Sequence, residues 1–204
     1  MTKSRPVFSL RVVRCVFGAV ALVLALALAP IPGHAAGWDL DQLMRGLAQS
    51  KFERARFTEK KYIAMLDRPV ESSGELLYIA PHRLEKRTLK PKPESMTVDA
   101  DTLVIERGRQ IHRLNLQDYP EVSVFIDSIR GTLAGDRKAL ERNYRLSLEG
   151  TAELWTLHQM PVSAKLQAVV KGIRIGGARY GVRSIEITQA DGDRSMMLIE
   201  KLGT

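Results

Sequence analysis

Apolar residues between positions 55 and 115 recur at every second place or gather in short runs, with turn-forming residues between the runs. That period predicts strands near 55–65, 74–80, 83–89, 95–98, 102–106 and 110–115. The links between them, such as Asp67-Arg68-Pro69, Pro81 and Arg107-Gly108-Arg109, are too short for parallel crossovers and favour an antiparallel meander. The period then changes. After Tyr119-Pro120, Val122, Phe125, Ile126, Ile129 and Leu133 fall at helical spacing; Gly135 is placed to end that helix and Asp136 to cap a short second one through Asn143. Alternation returns at Tyr144, Leu146 and Leu148, and further strands are predicted near 153–160, 165–175, 183–189 and 195–201, with Asp191-Gly192 as a hairpin turn. Ahead of all of these, Asp39 can cap a helix whose Leu40, Leu43, Met44, Leu47 and Ala48 share one face. The pattern gives about eleven strands and three helices, and a sheet that long must curl. The expected fold is mainly β with helices (α+β): a curved antiparallel sheet forming an incomplete, half-open β-barrel, its concave face covered by a helical lid.

The first 35 residues stand apart. Lys3, Arg5, Arg11 and Arg14 precede an unbroken apolar run from Val16 to Ala29, and Gly33-His34-Ala35 supplies small residues where a signal peptidase cuts. This is the pattern of a cleaved secretory signal, too short in its apolar part for a comfortable membrane span. Residues 36–204 are then expected to form one domain, soluble in the periplasm after cleavage. Removing the signal takes four basic residues and no acid, so the formal charge of +8 falls to +4. Bases and acids interleave, as in Glu85-Lys86-Arg87, which describes solvated strand faces and, with export, argues against a nucleic-acid partner. Cys15, the only cysteine, lies within the signal, so neither a disulfide framework nor thiol catalysis is available afterwards.

Catalytic chemistry is hard to find. His82, His112 and His158 are far apart and at no metal-ligand spacing, and there is no nucleophile elbow or phosphate loop. The glycines at 172, 176 and 177 lack the spacing of a nucleotide fingerprint and read as bends between strands. No enzyme activity, metal or cofactor is expected.

Several short stretches, taken in order, carry a resemblance. Phe57-Thr58-Glu59-Lys60, then Gly74-Glu75-Leu76-Leu77-Tyr78 with Pro81, then 99–103, Leu133-Ala134-Gly135-Asp136 and Trp155-Thr156-Leu157, resemble the periplasmic outer-membrane lipoprotein carriers, the LolA-like family. The likeness spans nearly all of the chain after the signal. It implies a half-barrel whose apolar concave face receives the acyl chains of a lipoprotein or other lipid. The cargo passes from an inner-membrane donor complex to an outer-membrane acceptor, and the carrier works as a monomer without covalent chemistry. The expected acyl cleft is made by Phe57, Leu76, Tyr78, Leu84, Met96 and Val98 from the strands and by Phe125, Ile129 and Leu133 from the lid. Two features depart from the family. Ala80 stands where its members carry an arginine before the proline, a residue that holds the lid, and Glu85 and Lys86 follow Leu84 where aromatic residues are expected. The departures point to a divergent member serving a different amphiphile, such as a glycolipid. The alternative function is a periplasmic module that senses lipid or lipoprotein and regulates a membrane partner.

Overall fold

The computed structural model describes residues 38–203. The signal segment and its cleavage point lie outside the described residues. Helix α1 (Leu40–Leu47) starts where Asp39 accepts a hydrogen bond from the Gln42 amide at 2.8 Å, and its buried face is Leu43, Met44 and Leu47. Six strands follow: β1 (Phe52–Tyr62), β2 (Val70–Ile79), β3 (Arg83–Lys90), β4 (Glu94–Asp99), β5 (Thr102–Arg107) and β6 (Gln110–Asn115). A single 3₁₀ turn (Leu116–Asp118) leads into α2 (Pro120–Leu133) and α3 (Arg137–Glu141). The chain then forms β7 (Tyr144–Thr151), β8 (Leu154–Pro161), a one-turn helix α4 (Ala164–Gln167), β9 (Val170–Ala178), β10 (Gly181–Gln189) and β11 (Arg194–Lys201).

All eleven strands belong to one antiparallel sheet in the order β6-β5-β4-β3-β2-β1-β11-β10-β9-β8-β7. Two meanders are therefore joined at a central seam, where β1 pairs with β11 and Phe57 faces Ile199. The sheet is open, with β6 at one edge and β7 at the other. The helical excursion between them carries the chain from the first edge to the second. Gly135 ends that excursion's long helix: its φ of +64° suits glycine, and a side chain there would strike the Met44 carbonyl oxygen of α1.

Strand alternation divides the side chains. Along β1, Ala55, Phe57 and Glu59 are buried while Arg54, Arg56 and Thr58 are exposed. The principal core packs α1 and Val124 of α2 against Tyr144, Trp155, Leu157, Ile173 and Ile175 from β7 to β9. A smaller core of Val98, Leu103 and Leu116 lies under Val122 and Ile126 of α2. Two expectations change. The strand predicted to begin at Lys165 opens instead with α4, because the Ser163 side chain accepts from the Leu166 amide and caps a helical turn; the strand proper begins at Val170, making four helices among the described residues rather than three. The first strand runs 52–62 rather than 55–65, since Phe52 to Arg54 pair with β2 while the chain turns at Ile63, whose carbonyl accepts from the Leu66 amide.

Candidate acyl-binding cavity

Between the concave face and α2 lies a cavity of about 240 Å³. Its walls are mostly aliphatic. The apolar run on β2 explains half of this: Leu76 and Tyr78 face inward, whereas Leu77 and Ile79 belong to the alternate face, although Leu77 too borders the cavity, so the run serves two sides of one strand. Of the residues expected from sequence, Leu76, Tyr78, Leu84, Met96, Val98, Ile129 and Leu133 line the cavity together. Phe57 and Phe125 do not. Phe57 is buried beneath the Lys86 ammonium, 4.8 Å from its ring centre, in room left by Gly74, where a Cβ would approach the Phe57 ring to 3.0 Å and the Arg87 carbonyl oxygen to 1.9 Å. Phe125 packs against the principal core. Sequence reasoning missed Ile126 on the lid and the opposite wall, Ile185 and Ile187 of β10 with Met197 and Ile199 of β11. Their inward alternation was visible, but their proximity to β1 depends on the seam.

Charge enters this wall at one place. Glu59 is 5 % exposed; its carboxylate accepts from Lys86 Nζ, from Ser195 Oγ at 2.6 Å and from Ser72 Oγ at 3.3 Å, with Lys61 Nζ 4.0 Å away. Burial pushes this carboxyl up, but Lys86, Ser195 and Lys61 together outweigh it and hold the group below its ordinary value. Lys86 reaches Glu59 across β2, over the small residues Ser72 and Gly74. Tyr78 lies elsewhere on the wall, and its phenol is pushed up by burial and by the nearby Glu53 carboxylate.

The lid is tied unequally. On the β7–β8 flank, Gln159, fully buried, donates through Nε2 to Thr132 Oγ1 at 2.9 Å and accepts from Ser128 Oγ at 2.8 Å, while Tyr144 donates its hydroxyl proton to the Val124 carbonyl at 3.0 Å. Burial, and then Asp127, push the Tyr144 phenol well above its ordinary range, so this donor stays protonated. On the opposite flank the polar tie is Arg130, which donates to the Ala100 carbonyl at 2.5 Å and to Asp127 at 2.6 Å. Ala80 bonds through its backbone amide to Lys51 O, and it is α2 itself that supplies the guanidinium joining lid and sheet. The helix is thus held by buried hydrogen bonds on the β7–β8 flank, and on the other by Arg130 together with Val122 and Ile126 packed over the smaller core.

The sequence from 32 to 202 matches the family of outer membrane lipoprotein carrier proteins described as LolA-like. The chain belongs to the LolA-like family. No curated protein matches it. Among solved structures, the chain is similar to a LolA-superfamily protein from Nitrosomonas europaea, with a TM-score of 0.42 and 9 % identity over 82 % of this chain and 94 % of that one. It is also similar to a chain of the Pseudomonas aeruginosa MucA/MucB complex (TM-score 0.44, 14 % identity, 82 % of this chain and 58 % of the other) and to the lipoprotein LppX of Mycobacterium tuberculosis (0.42, 6 %, 79 % and 93 %). This LolA-like chain thus spans little more than half of the MucA/MucB chain that it matches. Among the described residues, no helix is long and apolar enough to cross a membrane, and no group of three or more His, Cys, Asp or Glu is placed to hold a metal ion.

Proposed function

We propose that this LolA-like chain is a periplasmic carrier that holds acyl chains of a lipoprotein or another lipid in the cavity under α2 and moves its cargo from the inner toward the outer membrane. The observation that supports this most is an aliphatic cavity enclosed between an open sheet and a helix whose polar tie on one flank is a guanidinium contact. Each methylene withheld from water is worth about 0.8 kcal/mol, so a sixteen-carbon chain resists free transit by roughly 12 kcal/mol. A protein that offsets most of this cost makes the crossing possible, and one that also releases its cargo needs an opening lid. The cavity is smaller than the roughly 300–1,000 Å³ that admits a drug-sized ligand whole. A full chain therefore enters as α2 moves outward, with Leu76, Leu84, Met96, Val98, Ile129 and Leu133 as its contacts and Phe57 and Phe125 as packing behind them. The donor is an inner-membrane complex and the acceptor lies at the outer membrane; the carrier itself is a monomer and makes no covalent bond to its cargo.

The test is native mass spectrometry of the processed protein purified from periplasm without detergent, followed by organic extraction. A reproducible acyl-bearing adduct is expected. A protein that arrives empty, refuses a fluorescent fatty-acyl probe and instead copurifies in a fixed complex with one membrane protein would overturn the carrier in favour of the sensing module.

A further inference from the structure

The cavity contains a polar group that its own fold does not use. Tyr78 is 4 % exposed, it lines the cavity, and its buried hydroxyl has no hydrogen-bond partner in the protein. Such a group is costly to keep, because a phenol withdrawn from water loses its solvation and gains nothing back. Phenylalanine would fill the same space with no such loss. The other polar atoms on this wall are engaged: Glu59 with Lys86 and Ser195, Glu53 with Ser50 at 2.6 Å and Lys201 at 3.0 Å, and Glu85 with Arg83 at 3.7 Å. Among the described residues of this wall, Tyr78 alone keeps a polar side-chain atom without a partner.

The surrounding charges say which kind. Three carboxylates, Glu53, Glu59 and Glu85, line the cavity against one ammonium, Lys86. The cations beside these carboxylates, Lys86, Lys201 and Arg83, are already paired with them, so a bound anion would find no free counter-charge and would lie near Glu53, which acts directly on the phenol. A neutral acceptor avoids that repulsion and still takes the phenolic proton.

We propose that the Tyr78 hydroxyl is the polar anchor of the cavity, donating a hydrogen bond to the neutral carbonyl oxygen of an ester- or amide-linked acyl chain and discriminating such chains from free fatty acids and from plain hydrocarbon. This deepens, and rests on, the acyl-carrier reading of the same cavity. It fixes the occupant's orientation as well, because the carbonyl is pinned at Tyr78 and the hydrocarbon runs along the aliphatic wall toward Ile187 and Met197.

The experiment compares wild type with Tyr78→Phe at neutral pH by displacement of 1-aminoanthracene with methyl laurate, laurate and dodecane. In the wild type, methyl laurate should displace the dye at lower concentration than laurate. Tyr78→Phe should weaken methyl laurate by about fivefold while leaving dodecane unchanged, the size expected for one neutral hydrogen bond. The variant should also melt at or above the wild-type temperature without ligand, because it removes an unpaired hydroxyl. If a folded Tyr78→Phe protein binds the ester as well as wild type does, the hydroxyl meets only water and the inference fails while the apolar cavity stands. If no member of the series displaces the dye from wild type, the carrier reading falls first, and this inference with it.

Discussion

Replacing Lys86 with methionine would leave the Glu59 carboxylate inside the wall with its main counter-charge gone. Removing one partner of a buried pair costs about 3–5 kcal/mol. Lys86 is itself 24 % exposed, and Glu59 keeps Ser195, Ser72 and a more distant Lys61, so the lower end applies: about 3 kcal/mol at neutral pH, or roughly 6–12 °C in melting temperature for a domain of this size. The pH dependence is the sharper signature. In the wild type the folded carboxyl lies below the ordinary 4.5, so its contribution is complete above that value and is lost as pH falls through the lower, folded one. In Lys86→Met the burial that pushes the group up is no longer outweighed, so the folded value rises above the unfolded one and the carboxylate destabilises the fold at neutral pH. Protonation relieves that penalty. Urea unfolding followed by tryptophan fluorescence should therefore show a gap between wild type and variant that is widest near neutrality and shrinks as pH falls toward about 4. The double variant Glu59→Gln with Lys86→Met should recover to within about 1 kcal/mol of wild type, because no lone charge remains. A gap that stays constant with pH, or one below about 1 kcal/mol at neutrality, would refute the assignment of Glu59 and Lys86 as a coupled buried pair.

Two further outcomes follow from the cavity and its lid. Leu133 lines the cavity but belongs to neither buried cluster, so Leu133→Asp should cut acyl-probe affinity at least about tenfold with an intact melting transition, whereas Phe125→Asp, in the principal core, should cost about 3 kcal/mol and compromise the fold itself; titration of a fluorescent fatty acid alongside thermal melts separates the two. Arg130→Ala removes the tie to Ala100 and should cost only about 1 kcal/mol while speeding hydrogen exchange along 120–133 and raising the rate of probe entry; unchanged exchange there would show that the apolar contacts alone hold that flank shut.

Much of this molecule can be seen in its sequence because local patterning and tertiary burial agree. Tyr144, Leu146 and Leu148 alternate and do face inward; Asp39 and Asp136 do cap helices; and the half of the cavity wall contributed by β2 to β4 follows from alternation alone. The remainder depends on neighbours distant in sequence. Nothing local announces that Ile185 and Met197 share a cavity with Leu76, because that depends on β11 pairing with β1. Nor does local pattern separate Phe125 from Ile129, since both are apolar on the same helix and both pack against the principal core, and only tertiary packing brings Ile129 alone of the two to the cavity. The strand predicted at 165–175 misled for a smaller reason, a serine cap whose effect lasts a single turn. Glu59 and Lys86 sit on strands whose surface is rich in charge, and their inward direction becomes visible only with Gly74 and Ser72 between them.

The seam between β1 and β11 also orders events in time. Ala55 finds its partner in Lys201, so a chain made amino-terminus first completes its first meander long before the strand that must flank it exists. During that interval β1 is a bare edge and the nascent cavity has one wall, its apolar side chains facing water. The last strand of the sheet to be made both completes the opposite wall and pairs that edge, so a loss of only residues 194–201 would leave β1 bare and the cavity open on one side.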